Sequence, residues 1–276
     1  MQSTQRGIGQ APHIRITLLI LAIAFSTLFL LAPVLFIFQR ALASGFGFYV
    51  QTLLDPFTRH AIGLTLLVAV VTIPVNLVFG VALAWLVTRF EFAGRKVLMT
   101  LIDIPFAVSP VVAGLIYLLL YGNQGWIGRW LDGYDIQLMF AWPGLILVTI
   151  FVTCPFVARE LIPLMQQQGS SEEEAGLTLG ANGWQVFRHI TLPNVRWALM
   201  YGVILTNARA MGEFGAVSVV SGSIRGRTNT LALHVELLAQ DFNVVAAFVS
   251  ASLLAFLALI SLLVKGLIEW QESRGT

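Results

Sequence analysis

The sequence predicts an all-α membrane protein, and three features of its composition and pattern support this fold class. Charged side chains are scarce, since 16 lysines and arginines and 14 aspartates and glutamates make up 11% of 276 residues, against about 25% in soluble domains. Hydrophobic residues reach 57%, with a mean hydropathy of +0.83. Long apolar runs recur along the chain. A soluble enzyme, a nucleic-acid binder or a disordered scaffold needs more surface charge than this chain supplies.

Six apolar runs are long enough to be membrane-spanning helices, which need about 20 residues. Their pattern is helical, and none shows the alternation over about ten residues that is typical of an outer-membrane barrel. Because the first run exceeds the roughly 7–15 apolar residues of a signal peptide, we expect it to be a retained helix. The predicted spans are residues 16–38, 61–87, 97–120, 138–158, 198–221 and 244–264.

The distribution of positive charge predicts that both termini are cytoplasmic. In this orientation ten lysines and arginines lie in the inside segments and five in the outside loops, as the positive-inside rule requires. The resulting organisation is a cytoplasmic tail at 1–15, a transmembrane domain at 16–264 and a cytoplasmic tail at 265–276. A cytoplasmic loop at 159–197 separates the fourth and fifth spans.

The third span contains the strongest candidate for a kink. Pro105 and Pro110 lie in it together with Asp103, and each proline frees a backbone carbonyl that must find another partner. Prolines are also common in membrane helices generally. Two interpretations therefore stay open: ordinary membrane-helix composition, or kinked helices around a path that opens and closes.

The loop at 159–197 carries helix signals of its own. Ser171 and Glu174 fit a capping box. The three adjacent glutamates that follow Ser171 suit the positive end of a helix dipole. Gly180 is expected to end this helix in a left-handed conformation.

A second short helix is predicted in the same loop. Asn182 is suited to cap it, the helix runs from Gly183 to about Ile190, and Pro193 is expected to stop it. Such a pair of helices with an apolar side docks onto another surface, folds back onto its own bundle or lies in the membrane interface. DNA binding is disfavoured, because the glutamates would repel phosphate. The apolar anchors of the loop are Leu177, Trp184, Phe187 and Ile190.

This loop resembles the EAA signature of ABC importer permeases, which reads E-A-A, three residues, G, nine residues, I-x-L-P. Every spacing matches, and the one departure is Gly176 in place of the second alanine, a small-for-small change. Residues 179–226 are also similar to sulfate/thiosulfate permease subunits of the CysW type, although molybdate permeases share part of this stretch. The matching residues are Glu174, Ala175, Gly176, Gly180, Ile190, Leu192 and Pro193.

The resemblance implies the fold of a type I ABC importer permease and a coupling role for the loop. In that family the loop inserts as a coupling helix into a groove on an ATPase subunit, and ATP with its magnesium belongs to that partner. The expected assembly contains a second homologous permease chain, an ATPase dimer and a periplasmic sulfate-binding protein in a bacterial-type inner membrane. The expected function is import of sulfate or thiosulfate. The alternatives are molybdate or another oxyanion, and an ATPase-independent secondary transporter.

The residues themselves argue against catalysis by this chain. A phosphate-binding loop needs lysine after a glycine, but the two lysines, Lys96 and Lys265, follow Arg95 and Val264. The single cysteine and four scattered histidines offer no metal-ligand spacing. We therefore predict a non-catalytic subunit that itself holds no cofactor or metal. Because alternating access usually needs two related halves and the chain shows no internal repeat, a second permease chain is expected.

Arg209 and Glu213 are costly charges inside the fifth predicted span. At a spacing of four residues they share a helix face. Either they form an ion pair that faces the bundle, or Arg209 lines the path of an anion, or both are true. Arg225, in a small-residue loop beyond this span, either steers a dianion or is merely solvated. Asp103 is expected to make a structural hydrogen bond. The predicted path residues are Asn207, Arg209, Glu213, Ser218, Ser221 and Arg225.

Overall fold

Every regular element in the described part of the chain is a helix, as predicted. The structure, a computed structural model, describes residues 12–275, so residues 1–11 of the predicted N-terminal tail and Thr276 of the C-terminal tail lie outside it. The elements up to the middle of the chain are α1 (Pro12–Ser26), a π-helical turn (Thr27–Leu31), α2 (Ala32–Ala41), α3 (Phe46–Leu54), α4 (Pro56–Arg89), α5 (Arg95–Ala107), α6 (Pro110–Tyr121), α7 (Gly128–Asp132) and α8 (Trp142–Thr153).

The remaining elements build the long loop and the last part of the bundle. They are α9 (Pro155–Gln168), α10 (Ser171–Thr178), α11 (Gly183–Val186), a π-helical turn (Phe187–Thr191), α12 (Leu192–Asn194), α13 (Arg196–Met211), α14 (Gly215–Ser221), α15 (Leu231–Gln240) and α16 (Val244–Gly275).

Four helical stretches among the described residues are individually long and apolar enough to cross a membrane. They correspond to the first, second, fourth and sixth predicted spans. A fifth is added if the bent pair α5 and α6 counts as one span. The prediction of six spans is thus matched in part. The four stretches are Ile14–Ala41, Pro56–Arg89, Trp142–Gln168 and Val244–Leu267.

The third predicted span is broken where the sequence analysis placed a kink. The axes of α5 and α6 differ by 106°, and Val108 and Ser109 between them are extended, with ψ of 131° and 136°. Pro110 follows, and the residue before a proline is sterically pushed out of the helical region. Proline therefore sets the bend, and the first turn of α6 begins at Pro110 without a lost hydrogen bond.

The fifth predicted span is divided as well, into α13 and α14. The break runs through Gly212 to Phe214, and the carboxylate of Glu213 accepts a hydrogen bond from Ala216 N at 2.9 Å. A carboxylate at this position satisfies a free N–H group of the new helix and favours its positive end. The acid predicted to sit inside a continuous span therefore lies in the break and bonds to the first turn of α14.

Among the described residues, two hydrophobic clusters form the core along α4. The first surrounds the N-terminal half of α4 and includes Leu145 and Val217, from α8 and α14. The second surrounds its C-terminal half and includes Leu161 and Ala198, from α9 and α13. Because α4 contributes to both clusters, it links the two ends of the bundle.

Small residues let three helices approach closely in the second cluster. A Cβ atom added at Gly80 of α4 would lie 2.6 Å from Val157 Cβ, and one added at Gly202 of α13 would lie 3.0 Å from Val157 Cα. Val157 of α9 is fully buried. Such small-residue contacts are typical of helix packing in membranes, where close backbone approach replaces the hydrophobic effect. They fix α9 and α13, and hence both ends of the loop between them.

Candidate functional site

The loop between α9 and α13 folds into a helical hairpin, residues 169–195, at one end of the bundle, which we call the loop end. Its first arm is α10. Ser170, and not Ser171 as predicted, is the N-cap residue, and its hydroxyl donates to Glu174 Oε1. Gly169 has a φ of +69°, a turn that brings Ser170 to the cap position and leaves Ser171 as the first helical residue.

The turn and second arm of the hairpin largely follow the sequence signals. Gly180 has a φ of +91° and ends the first arm in the left-handed region. Asn182 caps the second arm in a capping box, in which its Oδ1 accepts from Gln185 N at 2.9 Å and Gln185 Oε1 accepts from Asn182 N at 2.8 Å. Both predictions are confirmed.

The prediction that Pro193 stops the second arm is wrong. The arm continues through a π-helical turn into α12 and ends after Asn194. In the π-helical turn Leu192 N donates to Phe187 O, five residues back. This wider turn changes the hydrogen-bonding register before Pro193, and the proline then lies in the first turn of α12, where its missing N–H is tolerated.

The two arms of the hairpin pack on each other through residues of the signature. A Cβ atom added at Gly176 would lie 2.6 Å from Ile190 Cδ1. The glycine that departs from the family pattern therefore makes room for the isoleucine on the opposite arm. Ile190 is consequently an internal contact of the hairpin and not an external anchor.

Glu173, which the sequence analysis treated only as a charge at a helix start, joins the hairpin to the bundle. Its Oε1 accepts from Thr191 Oγ1 at 2.7 Å, and its Oε2 forms an ion pair with Arg89 at the end of α4. Glu172 similarly accepts a hydrogen bond from Asn194. These acids hold the two arms together and the hairpin to α4, a role that no local sequence signal indicates.

The hairpin also exposes large apolar side chains. Leu179 is 88% exposed, and Leu177 and Trp184 are exposed as well. Phe187, the remaining predicted anchor, packs inward against Trp85 of α4 with 5.2 Å between ring centroids. One side of the hairpin thus contacts the bundle. Leu177, Leu179 and Trp184 are exposed apolar side chains of the kind that mark a binding site, and Leu177 also lines the cleft between the hairpin and α4.

Arg209 and Glu213 meet as their spacing predicts. Arg209 Nη1 lies 2.6 Å from Glu213 Oε2, with the Glu213 side chain 1% exposed and that of Arg209 34% exposed. Glu213 Oε1 simultaneously caps α14 through Ala216 N. The pair therefore has a structural role at the break between α13 and α14. Contact of Arg209 with an anion stays a prediction.

The other predicted path residues bond within the chain. Asn207 Nδ2 donates to Ser261 Oγ of α16 at 3.3 Å. Ser218 Oγ donates to Gly215 O, and the buried Ser221 Oγ accepts from Ser223 N, each at 2.9 Å. Arg225 forms an ion pair with Asp241 and lies over the ring of Phe57. The structure brings together Arg209 and Glu213, whereas the remaining four residues have separate partners.

Asp103 has a partner that the sequence did not identify. Arg159 of α9 donates to its Oδ1 from Nε at 3.0 Å and from Nη2 at 2.8 Å. The guanidinium also lies 4.1 Å from the ring centroid of Phe106. This cluster ties α5 to α9 just before the bend, in agreement with the structural hydrogen bond expected for Asp103.

The end of the bundle opposite the hairpin contains a cavity of about 420 Å³ beside His234 of α15. The ring is buried, and its Nε2 lies 3.0 Å from Thr58 Oγ1 at the start of α4. Burial lowers the pKa of His234 below its usual range, an effect that the neighbouring Asp55 partly opposes. The histidine is therefore a neutral hydrogen-bonding group that joins α15 to α4.

Comparisons with known proteins agree with this geometry. Residues 76–275 match a family described as "Binding-protein-dependent transport system inner membrane component". The chain is 61% identical over 246 residues to the "Sulfate transport system permease protein CysW" of Escherichia coli (strain K12), covering 89% of this chain and 84% of that protein. It is 36% identical over 241 residues to the "Sulfate transport system permease protein CysT" of the same strain, covering 87% of each.

A solved structure shares the fold. It is a bacterial alginate ABC transporter in complex with alginate pentasaccharide-bound periplasmic protein, and it matches with a TM-score of 0.76 and 16% identity over 95% of this chain and 94% of that chain. At this identity the likeness concerns the arrangement of helices alone.

Proposed function

The chain belongs to the family of binding-protein-dependent transport system inner membrane components, and from this membership we propose that it is the permease subunit of an ABC importer for sulfate and thiosulfate. Its similarity to CysW over most of both chains supports sulfate as the substrate. Thiosulfate is a tetrahedral dianion of similar shape. We assign the selection between sulfate and thiosulfate to the periplasmic binding protein that delivers the anion.

The observation that carries this proposal is the hairpin at the loop end. Leu177, Leu179 and Trp184 are exposed on it, while Glu173 and Phe187 fasten it to α4. A rigid hairpin with an apolar outer surface is suited to insert into a groove on another protein. We assign that groove to an ATPase subunit, which holds ATP and magnesium and performs the hydrolysis.

The proposed complex contains four kinds of chain. The chain is similar to both CysW and CysT, which supports pairing with a second, homologous permease. An ATPase dimer binds the two hairpins, and a periplasmic binding protein delivers the anion. The alginate transporter, which was solved together with its pentasaccharide-bound periplasmic protein, supports this last partner by analogy. The complex lies in a bacterial-type inner membrane.

We further propose six crossings with both termini in the cytoplasm. The bent pair α5–α6 and the divided pair α13–α14 each cross the membrane once, which adds two crossings to the four continuous stretches. The hairpin, within the loop 159–197, then faces the cytoplasm, as the positive-inside rule favours. The transmembrane domain is 16–264, between tails at 1–15 and 265–276.

The topology can be tested with single cysteines, because Cys154 is the only native one. In a Cys154→Ala background, Gln124→Cys should react with a membrane-impermeant maleimide in intact cells, whereas Lys96→Cys and Thr276→Cys should react only after the membrane is opened. Labelling of the Thr276→Cys variant in intact cells would contradict the proposed orientation.

Transport follows from movement of the hairpin. Closure of the ATPase dimer around ATP displaces the hairpin and tilts the attached helices, so that the anion enters from the binding protein near α13 and α14. Arg209, with a third of its side chain exposed, is proposed to line this path. Asn207, Ser218 and Ser221 are proposed as further polar groups along α13 and α14, and Arg225 is proposed at the outer entrance.

The decisive experiment is uptake by the complete complex in proteoliposomes. Radiolabelled sulfate should accumulate only with ATP, the ATPase subunits and the binding protein, and unlabelled thiosulfate should compete while molybdate should not. Uptake that persists without ATPase and nucleotide would indicate a secondary transporter. Competition by molybdate in place of thiosulfate would assign the chain to another oxyanion importer.

A further inference from the structure

The hairpin 169–195 contacts a helix to which it is not adjacent in the sequence. It is covalently continuous with α9 and α13, yet its main side-chain contacts run to the last turns of α4. Arg89 forms the ion pair with Glu173, and Trp85 packs against Phe187. A cleft of about 530 Å³ remains between the hairpin and α4. The two elements are therefore joined by a few discrete contacts and not by a continuous core.

The ion pair of Arg89 with Glu173 is the strongest of these contacts. The Arg89 side chain is 11% exposed and that of Glu173 is 12% exposed. Removing one member of a buried pair leaves an uncompensated charge, which costs far more than loss of a surface pair. Arg89 Nη1 also donates to Met165 O of α9 at 3.0 Å, and Thr191 completes the hydrogen bonding of Glu173. A single guanidinium thus joins α4, α9 and the hairpin.

The other end of α4 is fastened to the segments farthest from the hairpin. Thr65 Oγ1 accepts from Leu231 N at 2.8 Å, and Thr58 Oγ1 bonds to His234 Nε2 at 3.0 Å, both in α15. His60 Nε2 lies 3.2 Å from Arg227 O in the loop before α15. One helix of 34 residues, about 51 Å long, therefore carries polar contacts to the hairpin at one end and to residues 227–234 at the other.

We propose that α4 relays hairpin movement to the opposite end of the bundle, and that Arg89 is the positioning residue that holds the hairpin to it. This inference rests on the proposed function, since the movement it relays is the one imposed by the ATPase. A relay through α4 differs from one through α9 and α13 alone, because it predicts that transport depends on side-chain contacts outside the loop. A displacement of the hairpin at Arg89 then also shifts the contacts around Thr65 and Leu231 at the far end of α4.

The first test compares Arg89→Gln with Lys96→Gln in the complete complex. Lys96 is an exposed cation at the same end of the bundle and serves as the matched control. Arg89→Gln should leave co-purification with the ATPase intact but lower uptake per ATP hydrolysed by about 2- to 30-fold, the range of coupling changes caused by mutations between two sites. Lys96→Gln should retain the ratio of the unaltered complex.

Exchanging the two charges distinguishes loss of the ion pair that positions the hairpin from general damage to the fold. Glu173→Arg alone should lower coupling like Arg89→Gln, and Arg89→Glu combined with Glu173→Arg should recover part of it, because the pair is restored with its members exchanged. Equal coupling in Arg89→Gln and Lys96→Gln would overturn the proposal. Coupling that is lower in the double variant than in either single variant, at a normal amount of assembled complex, would overturn the proposal as well.

The relay itself is tested by a variant at the far end. Thr65→Val removes the acceptor of Leu231 N without changing side-chain size, about 36 Å along the helix from Arg89. If both contacts serve one relay, the combined loss in coupling from Thr65→Val and Arg89→Gln should be smaller than the product of the separate losses. Fully multiplicative losses would refute a relay through α4. If the unaltered complex shows no ATP-dependent uptake, the proposed function fails instead.

Discussion

Replacement of Gly180 by valine isolates the backbone requirement of the hairpin. Gly180 has a φ of +91°, and a Cβ atom built on it meets no heavy atom within 4 Å. The Cβ atom of the new side chain therefore meets no neighbour among the described residues, and the main cost comes from forcing a β-branched residue into the left-handed region. In this conformation Ala181 N bonds back to Gly176 O at 3.1 Å, which sets the angle between the two arms.

The expected magnitude follows from the cost of such backbone strain. A non-glycine residue held in a sparsely populated φ/ψ region costs about 1–3 kcal/mol, which corresponds to a shift of roughly 5- to 160-fold toward hairpins with a displaced turn. Since the arms also hold Leu177 and Trp184 in position, the docking surface is disturbed by the same shift. Valine should lie near the upper limit, whereas asparagine, which tolerates this region, should have only a mild effect.

The assay is ATP-dependent sulfate uptake in proteoliposomes, with the amount of inserted chain measured in parallel. Gly183 provides the matched control, because its added Cβ also meets no heavy atom within 4 Å, although its φ is not in the left-handed region. Gly180→Val should reduce uptake strongly at normal insertion, while Gly183→Val should reduce it little. Equal losses would show that bulk on the docking surface matters, and normal uptake by Gly180→Val would refute the coupling role of the turn.

Three further predictions concern the bundle. Arg209→Ala should lower the amount of assembled complex, because Glu213 would be left buried without its ion-pair partner. The cost is up to about 3–5 kcal/mol, an upper bound because a third of the Arg209 side chain is exposed. A loss of sulfate-stimulated ATPase activity at an unchanged amount of complex would instead indicate anion contact. Gly202→Val should destabilise the complex in thermal unfolding by about 1–3 kcal/mol through overpacking. Gly63→Val should be tolerated, because a Cβ atom added at Gly63 meets no heavy atom within 4 Å. Burial lowers the pKa of His234 in the folded protein, so the unfolded state binds a proton more readily. The contribution of His234 to the free energy of unfolding should therefore be constant above about pH 6.5 and fall as the pH drops below it. A His234→Gln variant should lack this dependence.

Local signals explain why much of the hairpin was predictable from the sequence. The capping box of Asn182 and Gln185 spans three residues, and Gly180 needs only its own backbone conformation, so spacing was sufficient. The N-cap was displaced by one residue because two serines are adjacent and the turn at Gly169 selects between them. Pro105 and Pro110 made a kink in the third span one of two open interpretations, and the bend before Pro110 agrees with it.

Contacts between distant segments were not predictable in the same way. Arg89 and Glu173 each had a sufficient local explanation, as a cytoplasmic positive charge and as an acid at a helix start, so nothing in the sequence suggested that they pair. The partner of Asp103 was missed for the same reason, because Arg159 was predicted to begin the cytoplasmic loop 159–197. The break at Glu213 was hidden within an apolar run, where composition suggests a continuous helix while the carboxylate caps a new one.

The geometry of Arg209 bears on whether its ion pair and a role in the anion path exclude each other. Glu213 divides its two oxygens, with Oε2 toward Arg209 and Oε1 toward Ala216 N. A guanidinium has five N–H donors, and Nη1 is the nitrogen that faces Glu213, while a third of the arginine side chain remains exposed. Under the proposed function, a dianion would approach the exposed part of Arg209 while Nη1 stays paired with Glu213 and Oε1 of Glu213 keeps its bond to α14. On the proposed path the carboxylate would hold the arginine in place and offset its positive charge, so that Arg209 would attract a passing anion without retaining it.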